Sequence, residues 1–264
     1  MTKTMLEEMT WPEAEHAFAE GPVVLVPVGS TEQHSSHLPL GTDSFTAQAL
    51  ATRVGRRTGA LVTPTLPFGY AEYHTDFAGT LSLSNETYTR VLIELVDRLV
   101  RYGATHILFV NGHGGNAFAL SQVGLHLRDR GVVAGMVQWW DITGKLRPEW
   151  GFGHGDRTET SLMLSLTPDL VDMNAAAAPQ ETAPAPQLTP VTPWDFVWEQ
   201  GVVHVYLRTR DVSERGGLTE ESGKPPQAAN REFGDEIVAV VTDYLCRFVE
   251  VFRTISLPRG IARP

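Results

Sequence analysis

Glu32 and His34 stand two residues apart in the segment Ser30-Thr-Glu-Gln-His34, a spacing that in an extended chain projects both side chains to one side. Asp43 follows across a turn bounded by Pro39 and Gly41. Carboxylate together with imidazole is the donor set expected for zinc, manganese or iron. His113 lies in Asn111-Gly-His-Gly-Gly-Asn116, where Gly112, Gly114 and Gly115 give it few packing neighbours and let backbone N–H groups approach a ligand. That run lacks the lysine and the spacing of a phosphate-binding P-loop. A third cluster, His154-Gly-Asp-Arg-Thr-Glu159-Thr-Ser161, sets Glu159 in the first turn of an expected helix, where a carboxylate is electrostatically favoured whatever else it does. Glu32, His34, Asp43, His113 and Glu159 together suffice for two divalent metals sharing one bridging carboxylate. Such a pair can generate hydroxide near neutral pH and polarise a carbonyl at once. His154 then remains as general acid or base, its intrinsic pKa suited to moving protons.

Residues so far apart in sequence need a scaffold that gathers them. Val23–Val28 is a continuous apolar run after Gly21-Pro22, as expected of a strand buried on both faces. Residues 106–110 form another such run and lead straight into the His113 turn, while 60–66 and 132–138 read as two further strands. Helical spacing covers 14–19, 44–58, 84–102 with Asn85 as its cap, 117–130, 160–166 and 227–252. Strands alternating with helices in this way predict an α/β fold with a largely parallel central sheet covered by helices on both faces. Ligands in such sheets collect beyond the carboxyl ends of the strands, and both 29–43 and 111–116 fall there. Residues 175–193, rich in Ala, Pro, Gln and Thr, read as an extended connection, and 202–207 as one more strand. The whole chain, 1–264, reads as one domain.

Composition narrows the function. The net charge of −10, with no basic run longer than Arg56-Arg57, argues against a nucleic-acid partner. No stretch approaches the roughly 20 apolar residues that span a bilayer, and the first eleven residues lack the apolar run of a secretory signal, so no membrane partner and a cytoplasmic location are expected. Cys246 is the single cysteine, which leaves no intramolecular disulfide and no thiolate metal site. In an apolar helical run it reads as a buried structural thiol.

Residues 28–43, Phe77-Ala-Gly-Thr-Leu-Ser82, residues 110–116 and Glu159-Thr-Ser161 resemble, in order and spacing across most of the chain, the creatininase (creatinine amidohydrolase) family. The resemblance implies a three-layer α/β/α sandwich, a dinuclear zinc or manganese site, hydrolysis of cyclic or linear amides and a homohexamer. By position, Glu32 and His113 would hold one metal and His34 the other, with Asp43 between them. In creatininase a glutamate two residues after the histidine of the third motif completes the second metal. Gly115 stands there in this chain, and Glu159 is the candidate that replaces it. His154 matches the family's proton-transferring histidine, and Trp150 a tryptophan that covers substrate. His37, Tyr70, His74, Gly114 and Gly115 are expected around the substrate. Ser35-Ser36, where the family has Gly-Pro, and Gly115 mark a branch other than true creatininase. The expected activity is a metal-dependent amidohydrolase acting on a small-molecule substrate. The alternatives are C–C bond hydrolysis of a cyclic diketone such as an oxidised inositol, and a metal-binding subunit without catalysis.

Overall fold

The computed structural model describes residues 3–192, 194–219 and 224–258. Met1, Thr2 and Pro193, which belong to segments interpreted above, lie outside the described residues. Four parallel strands form the central sheet: β1 (Val23–Val28), β2 (Leu61–Val62), β3 (His106–Asn111) and β4 (Val133–Gln138), in the order β2-β1-β3-β4. Every residue of β1 is buried, as its unbroken apolar run requires of a strand covered on both sides.

The two faces separate by alternation. Val23, Leu25, Leu108 and Val110 pack with Leu50 and Val54 of α2 (Thr42–Thr58), Leu162 of α6 (Arg157–Leu166) and Ile237, Val241 and Leu245 of α8 (Arg231–Phe252). Val24, Val26, Val28, Ile107 and Phe109 face the other way, onto Phe18 of α1 (Trp11–Ala19), Leu92 and Val96 of α3 (Asn85–Arg101) and Leu120 and Val123 of α4 (Ala117–Asp129). The result is the expected α/β architecture, a parallel sheet between two helical layers. In register, Leu25 stands opposite Leu108 and Val28 opposite Asn111, so β1 and β3 end side by side. The loops that leave them carry Glu32, His34 and His113 out over the same edge.

Several expectations shift at their boundaries. The strand expected over 60–66 is only Leu61–Val62, because Pro64 has no N–H to give the ladder; the chain still follows β1, with Thr63 N donating to Leu25 O and Leu66 N to Pro27 O. Asn85 is not the cap of α3: Ser84 is, its side chain accepting from Thr87 N. The sixth helix starts at Arg157 rather than 160, capped by Asp156, which accepts from Thr158 N and Glu159 N. Helix α8 starts at Arg231, capped by Asn230. The further strand is Gly201–His204 (β8), paired antiparallel with Asp195–Trp198 (β7), which in turn pairs with Thr189–Pro190 (β6) at the end of the expected connection. Four short elements were not anticipated: α5 (Trp139–Leu146), the antiparallel partners β5 (Gly153–His154) and β9 (Leu218–Thr219), and α7 (Thr209–Val212). Cys246 is buried in α8. Among the described residues, no helix is long and apolar enough to cross a membrane.

Candidate metal centre and active site

The site is assembled by backbone bracing around two histidines. Asn111 Oδ1 accepts from His113 N at 3.1 Å and its Nδ2 donates to His113 O at 2.8 Å, which fixes the turn leaving β3. Asn116 Nδ2 donates to Gly29 O at 3.0 Å, tying that turn to the end of β1. His113 donates from Nε2 to Tyr70 O at 2.8 Å, so Nδ1 is its basic atom and lies 3.0 Å from Glu32 Oε2 and 3.3 Å from Asp43 Oδ2. His34 is the mirror case. Its Nδ1 donates to Glu32 O at 3.2 Å, leaving Nε2 3.0 Å from Asp43 Oδ1 and 3.8 Å from Glu159 Oε2. A ring N–H held by a carbonyl while the second nitrogen points at carboxylates is the arrangement that orients a metal-ligating histidine.

Glu32, Asp43 and Glu159 are all buried, at 1%, 3% and 5% exposure. So many carboxylates together in the interior need cations to be tolerated. Burial works against a charge on His34, but Asp43 and Glu159 outweigh it and push the imidazole up to about 10. Burial likewise opposes a charge on His113, and Glu32 and Asp43 overcome it, raising that imidazole. Asp43 is held below the ordinary carboxylate range despite burial, because His34 and His113 face it. Glu159 is pushed up to about 8 by burial, against the pull of His34 and with Asp43 repelling it. Both oxygens of Glu32 and Oδ2 of Asp43 are buried without a hydrogen-bond partner. Donor type, burial and orphaned oxygens all fit divalent cations. Ligand atoms of Glu32, Asp43 and His113 lie within 4.8 Å of one another, as do those of His34, Asp43 and Glu159, and Asp43 belongs to both sets. A third grouping of the same kind joins Glu32, His34 and His154.

A cavity of about 200 Å³ opens beside these groups, lined by Glu32, Asp43, His74, His113, Gly114, His154 and Glu159 on its polar side. Tyr73, Trp140, Phe152, Val191 and Leu218 form the apolar side, with Trp140 and Phe152 stacked at 5.7 Å. His154 lies at the rim of the metal-ligand cluster, its ring 4.4 Å from that of His34 and 4.5 Å from that of His74. Burial, and after it the nearby His34, pulls His154 down to about 3.

Other expected residues sit elsewhere. Trp150 does not line the cavity. It is buried in a short 3₁₀ turn, edge-on to Phe233 at 5.2 Å, and Trp140 and Phe152 supply the aromatic wall instead. Tyr70 contributes its carbonyl to His113 rather than a side chain to the cavity. Gly115 is likewise absent from the lining, and a side chain there would collide with Tyr70 O and His113 Nε2. His37 is held away from the cavity by Thr160, with Nε2 2.8 Å from Oγ1. Arg208 pairs with Glu72 and Asp76, Arg157 donates to Trp150 O, and Arg210 covers Phe77; among the described residues, no Lys or Arg lines the cavity. Sequence reasoning missed Tyr73, Trp140 and Phe152. The signal available for Trp140 was its place directly after β4, at the carboxyl edge of the sheet.

The chain matches the model of the creatininase family, creatinine amidohydrolase, over residues 7–249. It belongs to the creatininase family. Creatinine amidohydrolase of Pseudomonas putida is 35% identical over 210 residues, covering 70% of this chain and 81% of that protein. Mycofactocin precursor peptide peptidase of Mycobacterium tuberculosis is 39% identical over 251 residues, covering 91% and 88% respectively. A crystal structure of creatininase superposes with a TM-score of 0.76 at 28% identity, covering 97% of this chain and all of that one. Similar creatininase structures include a Zn-Zn form and a manganese form. Membership of the creatininase family makes this chain a hydrolase, with its candidate metal-ligand groups at the carboxyl edge of the sheet.

Proposed function

We propose that this chain hydrolyses the amide bond of a small substrate using two divalent ions, zinc or manganese, with iron also compatible with the donors. Glu32 and His113 would hold one ion, His34 and Glu159 the other, and Asp43 both. The observation that carries this reading is Asp43: its Oδ1 faces His34 while its Oδ2 faces His113. A carboxylate with one oxygen turned to each side is built to bridge. When bound, the ions supply Lewis-acid polarisation of the scissile carbonyl and activation of a water molecule. His154 moves the proton. A carbonyl can only accept, so the 2.7 Å contact between His154 Nε2 and Gln33 O places the ring proton on Nε2 and leaves Nδ1 as the atom that takes a proton up and hands it to the leaving nitrogen. Tyr73, Trp140 and Phe152 exclude water from the apolar side and seat the substrate.

Between cyclic and linear amides, a linear peptide amide has the stronger support. The mycofactocin precursor peptide peptidase matches 91% of the chain at 39% identity, against 70% at 35% for creatinine amidohydrolase. Gly115, in addition, has no room for the carboxylate found there in creatininase. The absence of Lys and Arg from the cavity lining among the described residues favours a neutral group over a phosphate-bearing one.

Metal analysis of protein loaded with zinc or with manganese, followed by an activity screen on short peptides, creatinine, formamides and oxidised inositols, tests the reading. Close to two ions per chain and turnover of an amide are expected; a content well below one per chain overturns it. His154→Ala should keep its metal while turnover falls by about 10²–10⁴-fold, the usual share of general acid–base catalysis. Loss of metal in that variant would make His154 a ligand, as the third grouping of donors allows.

A further inference from the structure

Gln33 lies between two metal-ligand candidates in sequence, yet its side chain points into a separate buried network. Its amide orientation is fixed by two backbone groups whose roles cannot change. Ser35 N donates to Gln33 Oε1 at 2.9 Å, and Gln33 Nε2 donates to Gly216 O at 3.1 Å. The oxygen therefore faces Ser35 and the nitrogen faces inward. That nitrogen lies 2.8 Å from His74 Nδ1 and 2.9 Å from His154 Nε2. His154 Nε2 already gives its proton to Gln33 O, so the remaining amide proton goes to His74 Nδ1. His74 Nδ1 must then be unprotonated. Thr209 Oγ1, 2.7 Å from the same nitrogen, donates to it as well. A neutral imidazole bare at Nδ1 carries its proton on Nε2, and His74 Nε2 lies 3.3 Å from Glu32 Oε1.

We infer that Gln33 and Thr209 are positioning residues that lock His74 as its Nε2–H tautomer, so that His74 turns that N–H toward Glu32 Oε1, 3.3 Å away, and leaves Oε2 facing His113 for the shared cation. The inference rests on the proposed metal-binding role of Glu32. His74, which lines the cavity, acts through Glu32 rather than on substrate. The members come from three separate segments, Gln33 from the loop after β1, His74 from the loop before α3 and Thr209 from α7, all buried. Partners behind a metal ligand typically contribute 10–100-fold to metal affinity.

Two measurements test this. Nitrogen-15 NMR of the metal-free wild-type protein reads the His74 tautomer directly; a proton on Nε2 is expected, and a proton on Nδ1 overturns the inference with no variant needed. Equilibrium dialysis with manganese alone then compares Thr209→Val, which keeps shape and loses the hydroxyl, with Thr209→Ser, which keeps the hydroxyl. The valine variant should bind one of its ions about 10–100-fold more weakly and the serine variant close to normally. A folded valine variant with wild-type affinity overturns the inference, as does an equal loss in both variants. If wild-type protein binds no manganese or zinc, the metal reading of the site fails, while the tautomer measurement still stands on its own.

Discussion

On the proposed reading of the site, Gly115 and Glu159 are two halves of one substitution. The hydrogen bond from His113 Nε2 to Tyr70 O passes through the space a side chain at 115 would occupy. A carboxylate entering from 115 would have to displace the group that aims His113. In this chain α6 brings a carboxylate to the cluster instead: Gly155 N donates to Glu159 Oε2 at 2.7 Å and His34 Nε2 lies 3.8 Å from the same oxygen. Glu159→Gln should therefore reduce the metal content from two ions to one per chain, with the ion at Glu32 and His113 retained. Inductively coupled plasma mass spectrometry after dialysis measures this, and two tightly held ions in the variant would dismiss Glu159 as a ligand. Gly115→Glu should not restore the lost ion in that background. It should weaken the remaining one by about 10–100-fold, the scale of losing a partner behind a metal ligand. The clustering of these acids and histidines was legible in the sequence because such residues in loops after apolar strands have no packing role to explain them. Trp150 was not placed correctly for the opposite reason. Trp139 and Trp140 directly follow β4, whereas Trp150 closes a short 3₁₀ turn after α5 that buries it against Phe233.

Helices α6 and α8 form the layer on which Glu159 depends, and they touch at a residue without a side chain. Gly234 packs on the backbone of α6, where an added Cβ would collide with the Ser161 carbonyl. Glycine inside a helix costs about 1 kcal/mol relative to alanine, so propensity alone would favour Gly234→Ala. Here the close approach decides against it. The variant should push α6 outward, lower the thermal midpoint and loosen the ion held with His34, while the ion held with His113 changes little. Calorimetry together with metal titration checks the pairing of effects. A variant that is more stable and binds both ions normally would mean that α6 has slack at this contact. Most of this layer could be read from pattern, since α2, α3, α4 and α8 each carry a long apolar stripe, and β1 and β3 are unbroken apolar runs. Helix α5 could not, being two turns long and following β4 without punctuation. Nor could the pairing of β5 with β9, whose residues are far apart in sequence and whose short strands have no alternation to betray them.

At the scale of the molecule, the candidate metal centre is a joint. Glu32 and His34 come from the connection between β1 and α2, Asp43 from the first turn of α2, His113 from the turn after β3, and Glu159 from α6. Each segment hangs from a different part of the two cores, and divalent ions would tie them together with more order than protons can. Binding that favours the folded chain stabilises it by about 2.7 kcal/mol for each site at a free-ion concentration 100 times its dissociation constant. For a chain of this size roughly 2–4 °C accompanies each kcal/mol, so chelation should lower the unfolding midpoint by about 5–10 °C per site. The midpoint should climb again with added manganese or zinc in proportion to the logarithm of its concentration. Glu159→Gln should retain only part of that response, and a variant lacking both Glu32 and Glu159 should show almost none. Hydrogen exchange locates the effect: amides of 29–43, 111–116 and the first turn of α6 should lose protection on chelation before the strands of the central sheet do. A midpoint indifferent to metal, with uniform exchange across the chain, would show that the five candidate ligands are held by the protein alone, with no structural contribution from a cation.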